Sequence, residues 1–202
     1  MEIAVPADFS ERPIRAAYRV SIASVAYSFV SSSVAIVLGI GASVVLVAFG
    51  AIGLVDMVGS IALTFHFRHA LHHEAMHARA ERIVHRVVRS GMFVVGVATL
   101  AVSAVRLATG AEGSAPVGGS VLAAVSVVVL SMLAARKIKL GREVASRALV
   151  VDGRVSGVGA AQAAIALLGL AATRWFDAGW ADAAAALVVG AAAALVAIFD
   201  PE

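Results

Sequence analysis

Ser43-Val-Val-Leu-Val-Ala-Phe-Gly-Ala-Ile-Gly-Leu-Val-Asp56-Met-Val-Gly-Ser-Ile-Ala-Leu-Thr-Phe65 is a run of 23 residues with one ionisable side chain, Asp56. A bilayer hydrocarbon core of about 30 Å needs roughly 20 apolar residues in a helix to cross it. The run is long enough, and it ends where a stretch dense in histidine begins. A single acid inside such a segment is expensive, about 2.5–3.5 kcal/mol on insertion scales, and for that reason it is a functional candidate. The same pattern recurs on both sides of this segment.

Upstream, Gly39, Gly41 and Ser43 mark a very short turn. Before that turn, Arg12, Arg15 and Arg19 introduce an apolar span over about 16–38 that holds Tyr18, Tyr27 and the serine run Ser31, Ser32 and Ser33. Downstream of 43–65, further spans are expected over about 87–107, 117–135, 148–172 and 181–199. They are separated by the polar stretch Thr109–Pro116, by the basic connection Arg136, Lys137, Lys139, Arg142 and Arg147, and by a loop with Arg174, Trp175, Asp177 and Trp180. The expected fold is an all-α integral membrane protein, a bundle of six transmembrane helices forming one domain. Of 202 residues 61% are apolar and only 14% charged, and the mean hydropathy is +0.95, far above a water-soluble domain.

Charge and composition remove several function classes. No cysteine is present, which excludes disulfides and thiolate ligation. The residues before Arg12 carry Glu2, Asp8 and Glu11 and no cleavable apolar core, so no signal peptide is expected. The net charge of +3 is explained by topology before nucleic acid is invoked. Three cations lie in the N-terminal segment, five between Arg68 and Arg89 and five between Arg136 and Arg147, against Arg106 and Arg174 near the other face. The positive-inside rule therefore puts both termini and the histidine stretch in the cytoplasm, with Trp175 and Trp180 as anchors at the opposite interface. The expected location is a multi-pass membrane position, the cell membrane if the host is bacterial. Gly153 and Gly157, and the alanines from Ala181 to Ala194, suit close helix packing.

All six histidines fall between Phe65 and Arg86, at 66, 69, 72, 73, 77 and 85, with Glu81 among them. At about 100° per residue, His66, His69, His73 and His77 lie within an arc of about 80° on a helix. Spans two and three must run antiparallel, so the chain reverses between them, and a turn near Ala70 to His72 is expected. His66 and His69 then end one helix while His73, His77 and Glu81 begin the next. Neutral imidazole with a carboxylate suits Zn²⁺ first, then Co²⁺, Ni²⁺, Fe²⁺ or Mn²⁺, and disfavours Ca²⁺ and Mg²⁺. Such binding weakens as histidines protonate below about pH 6.5. The competing reading is a solvated basic loop against anionic headgroups. Asp56 is the expected intramembrane metal contact or proton carrier. Asp152, two residues from Arg154, is read as an acid at the mouth of the path or as half of a structural pair with that arginine, and Asp177 and Asp182 as solvated.

The order of these motifs resembles the cation diffusion facilitator family, whose six-span members export divalent transition metals in exchange for protons. Ser43 to Asp56 looks like the family's second span, Ser146-Arg-Ala-Leu149-Val-Val-Asp152 like the start of its fifth, and Trp180-Ala-Asp182 like the start of its sixth; Glu81 is placed like an acid that follows the loop between spans two and three. The likeness runs from about Arg15 to Asp200. It implies a metal site made by two residues on span two and two on span five, each pair four apart. Asp56 occupies one of these positions, while Ile52, Val155 and Gly159 occupy the other three. The family's C-terminal cytoplasmic domain is expected to be absent, since the chain ends at Glu202.

Two functions follow as expectations. One is a cation-efflux-type transporter, moving a divalent transition metal against protons, with the histidine stretch as a cytoplasmic collecting loop and a homodimer as one possible assembly. The alternative is a non-transporting relative that serves as a metal-binding or partner subunit. An enzyme is not expected, because no nucleophile and base stand at recognisable spacing.

Overall fold

Apolar segments of this length in a bilayer must satisfy their backbone groups internally, and the helix does so within one segment. The computed structural model describes residues 7–71 and 78–199 of the chain. They form α1 (Ala7–Gly39), α2 (Val44–Leu71), α3 (Ala78–Thr109), α4 (Val117–Glu143), α5 (Arg147–Trp175) and α6 (Trp180–Phe199), with no strand among the described residues. All six are long and apolar enough to cross a membrane: Pro13–Gly39, Val44–Phe65, Arg86–Thr109, Val117–Glu143, Arg147–Trp175 and Trp180–Ile198. The chain is an all-α, multi-pass membrane protein. Its outer surface carries large apolar side chains such as Phe29, Val37 and Leu168, as a lipid-facing surface does.

The turns are set by local chemistry. Between α1 and α2 the chain reverses through Gly41, at φ 75°, a left-handed conformation that costs glycine little. Ser43 then caps α2, its hydroxyl accepting from the Leu46 N–H at 3.2 Å. Ser146 does the same for α5, accepting from Leu149 N–H at 3.3 Å. These caps satisfy helix-terminal donors that have no carbonyl partner.

α2 packs against α1, α3, α5 and α6, which makes it the central helix. One buried cluster joins Val45, Leu46 and Ile52 of α2 with Leu170 of α5 and Val189 and Ala193 of α6. A second joins Ala35 of α1, Phe49 of α2, Leu130 and Leu133 of α4, and Ala160 and Ala163 of α5. α3 meets α6 at glycine: a Cβ on Gly96 would stand 2.8 Å from both the Ala194 nitrogen and the Gly190 oxygen. Small residues let these backbones touch, as expected for helices packed in lipid. Of the two glycines singled out on α5, Gly153 packs tightly on Lys137 and Ile138, whereas Gly157 has only Ala134 Cβ near, at 3.9 Å.

One boundary differs from expectation. α4 does not stop near Ala135 but continues to Glu143, so that Arg136, Lys137, Lys139 and Arg142 are helical. The physical reason is Lys137. It continues the buried stripe Leu130, Leu133, Ala134 and Gly141, and its side chain is fully buried. It is therefore not one of the solvated cations of the basic end.

Candidate functional site

α2 and α5 run antiparallel, and near mid-bundle they enclose a small cavity together with α1. It measures about 30 Å³, and its lining includes Ser28, Ser31 and Ser32 of α1, Asp56 of α2 and Gln162 of α5. A void of roughly 10–15 Å³ on this measure holds one water, so the cavity has room for about two, or for a partly dehydrated cation. Ile52, Val155 and Gly159 also line it. All four positions named above on α2 and α5 thus face one space, and one of the four carries a carboxylate.

The polar groups of the cavity are under-used. Asp56 is half-buried and makes no hydrogen bond or ion pair among the described residues. Gln162 is 3% exposed, and its Nε2 has no hydrogen-bond partner among the described residues. Leaving a buried amide or carboxylate unpaired costs about 1–3 kcal/mol or more, and a water or cation in the cavity would remove that cost. Gln162 was visible in the sequence only as one polar residue of span five. Its signal is the spacing: with Val155 and Gly159 it recurs at four and three residues, the period of a single helix face.

One turn from Asp56 along α2, toward the end bearing the histidine stretch, lies a second polar group. Lys137 Nζ stands 2.6 Å from Asp152 Oδ2 and donates to Ser156 Oγ at 2.9 Å and to Ser60 Oγ at 3.3 Å. Ser60 in turn donates to Asp152 Oδ1 at 3.0 Å. The ammonium is thus held by one ion pair and two hydrogen bonds. Asp152 pairs with Lys137 of α4; Arg154, the neighbour favoured from the sequence, is exposed. Helical geometry explains the correction, because residues two apart point to different sides of a helix.

On α1, Ser21, Ser24, Ser28 and Ser32 are all buried at intervals of three or four. Ser32 packs on Gly53 of α2. One turn before Ser32, Ser28 lines the same cavity as Asp56. The hydroxyls of Ser21 and Ser24 have no hydrogen-bond partner among the described residues. Buried hydroxyls thus recur along one face of α1, and those of Ser28 and Ser32 reach the cavity.

Asp182 corrects a second reading. It is fully buried rather than solvated. Its carboxylate accepts from the Ser43 hydroxyl at 2.5 Å and from the Val44 N–H at 2.7 Å, which ties the start of α6 to the start of α2. Asp177 is exposed, as expected, and Trp175 and Trp180 are exposed at the same end.

The described part of α2 runs to Leu71 and that of α3 starts at Ala78, so the reversal expected near Ala70 to His72 falls at the edge of the described residues. His66 and His69 thus belong to the last turns of α2, and Glu81 and His85 to the first turns of α3. His72, His73 and His77 lie outside the described residues. Among the described residues, no three His, Cys, Asp or Glu side chains gather to hold a metal ion. Compared with known proteins, the chain matches no family model and no curated protein.

Proposed function

We propose that the chain is a cation-efflux-type transporter that carries a divalent transition metal across the membrane in exchange for protons, with Asp56 in the path. The observation that carries this reading is an unpaired carboxylate in a water-sized cavity at the meeting of α1, α2 and α5. A membrane protein retains such an acid at a cost, and ion and proton pathways are where that cost is met. The buried serines at 21, 24, 28 and 32 along one face of α1 support a route toward the basic end.

The donors around the cavity are a carboxylate, an amide and hydroxyls. Hard oxygen donors of this kind suit Mn²⁺ better than Zn²⁺, whereas the imidazoles of the histidine stretch suit Zn²⁺, Co²⁺, Ni²⁺ and Fe²⁺. A single carboxylate does not make a closed tetrahedral zinc site. The cargo at Asp56 is accordingly a cation that keeps part of its water shell, and the histidine stretch raises its concentration at the cytoplasmic mouth.

A second reading is favoured by the walls of the same cavity. Ile52, Val155 and Gly159 are apolar at positions where the resembled family binds its metal, as a non-transporting subunit would have them. Reconstitution into proteoliposomes under an imposed proton gradient separates the two. Uptake of Mn²⁺ or Zn²⁺ that collapses with the gradient is expected for the transporter. Metal binding to the protein with no flux of Mn²⁺, Zn²⁺, Co²⁺, Ni²⁺ or Fe²⁺ would leave the binding subunit.

A further inference from the structure

At the basic end of the bundle, α1 and α4 line a cleft of about 600 Å³. Its charged lining is Arg15 and Arg19 from α1 and Arg136, Lys139 and Glu143 from α4. Among the described residues, four cations and one carboxylate line this single groove, all five side chains exposed. Topology alone asks for cations at this end. It does not ask that they line both walls of one cleft.

The surface beyond the cleft is apolar along the same two helix faces. On α1, Ile22 and Phe29 continue the stripe of Arg15 and Arg19 at intervals of three, four and seven, and are 42% and 56% exposed. On α4, Met132, Val128 and Val125 continue the stripe of Arg136 and are 54%, 59% and 47% exposed. The cations occupy the end of each membrane-crossing segment, and the apolar residues run from there toward its middle.

The geometry points to a binding site for an anionic glycerophospholipid, with the headgroup phosphate in the α1–α4 cleft and the acyl chains along the exposed faces of both helices. Guanidinium groups bind phosphate oxygens through paired N–H donors, and basic pockets between transmembrane helices are a known setting for acidic headgroups. A soluble phosphate would satisfy the cations and leave the apolar stripes unused. The site is separate from the Asp56 cavity and holds whether or not the protein transports.

Native mass spectrometry of the full chain, purified in neutral detergent, tests it with phosphatidylglycerol, phosphatidylcholine and inorganic phosphate as probes. The wild type is expected to retain phosphatidylglycerol in preference to phosphatidylcholine. Arg19→Gln, Arg136→Gln and Lys139→Gln should each weaken that retention about fivefold, the loss expected of one cation near a headgroup. Arg142→Gln with Arg147→Gln removes two exposed cations of the same end that do not line the cleft, and should leave it unchanged. Equal losses in both sets of variants would reduce the effect to diffuse surface charge and overturn the site. So would inorganic phosphate displacing the lipid at equal concentration, or a wild type without lipid preference. The single variants change exposed side chains only, and an unchanged melting temperature confirms that the fold is intact.

Discussion

The ammonium of Lys137 lies 2.6 Å from the carboxylate of Asp152, and both side chains are buried between α4 and α5. A charge in this setting is tolerated because the ammonium stands against the Asp152 carboxylate and donates to Ser156 and Ser60. The pair fixes how α4, α5 and α2 meet one turn from the Asp56 cavity.

Removing one partner strands the other. Lys137→Met or Asp152→Leu alone should therefore destabilise the protein by about 3–5 kcal/mol, whereas the double variant should recover most of the loss. Thermal unfolding of the three variants in one detergent measures this. Single variants as stable as wild type would contradict the burial of the pair.

Asp182 accepts from Ser43 and from the first N–H of α2, so Asp182→Ala removes a buried, charge-assisted tie between two helix starts. A loss of about 2 kcal/mol or more is expected. Asp177→Ala, at an exposed position of the same end, should stay within about 0.5 kcal/mol. Equal effects of the two substitutions would restore the solvated reading of Asp182.

The contrast between these two acids also says what a sequence can reveal. Six runs of hydrocarbon separated by glycine, proline and charge leave little choice of fold, and the six helices follow the expected spans closely. The polar positions were harder. Asp182 shares its helix face with Ala185, Ala186, Val189 and Ala193, all buried, and Lys137 shares one with Leu130, Ala134 and Gly141. That periodicity was available, but charge next to a turn reads as solvated unless a partner is known, and the partners, Ser43 and Asp152, lie 139 and 15 residues away in sequence. Asp56 was legible because a lone acid inside an apolar span has no cheap explanation. Gln162 was not, because an uncharged amide costs too little to stand out until its Nε2 is found buried and unpaired.

Packing at glycine gives a third test. Gly96→Val places methyl groups where Gly190 and Ala194 of α6 already stand, and should destabilise by about 1–3 kcal/mol. Gly157→Ala meets nothing closer than 3.9 Å and should be neutral or stabilise by up to about 1 kcal/mol. Unfolding midpoints of the pair in the same detergent decide it, and a reversed order would contradict the α3–α6 contact.

The histidine stretch makes its own prediction. Replacing His66, His69, His73 and His77 by alanine should abolish Zn²⁺ binding by the purified protein at neutral pH. For the wild type, affinity should fall as pH drops below about 6.5, because imidazole binds metal only when neutral. Calorimetric titration at two pH values measures both. Unchanged affinity in the fourfold variant would remove the collecting loop.

The most direct test of the transport path is the rate of Mn²⁺ and Zn²⁺ uptake into proteoliposomes by wild type and by Asp56→Asn, with equal incorporation and equal melting temperature. If the cation passes the unpaired carboxylate, Asp56→Asn slows uptake about tenfold or more, a loss of at least about 1.4 kcal/mol of barrier stabilisation. Uptake by Asp56→Asn at the wild-type rate would contradict the assignment of this cavity to the path.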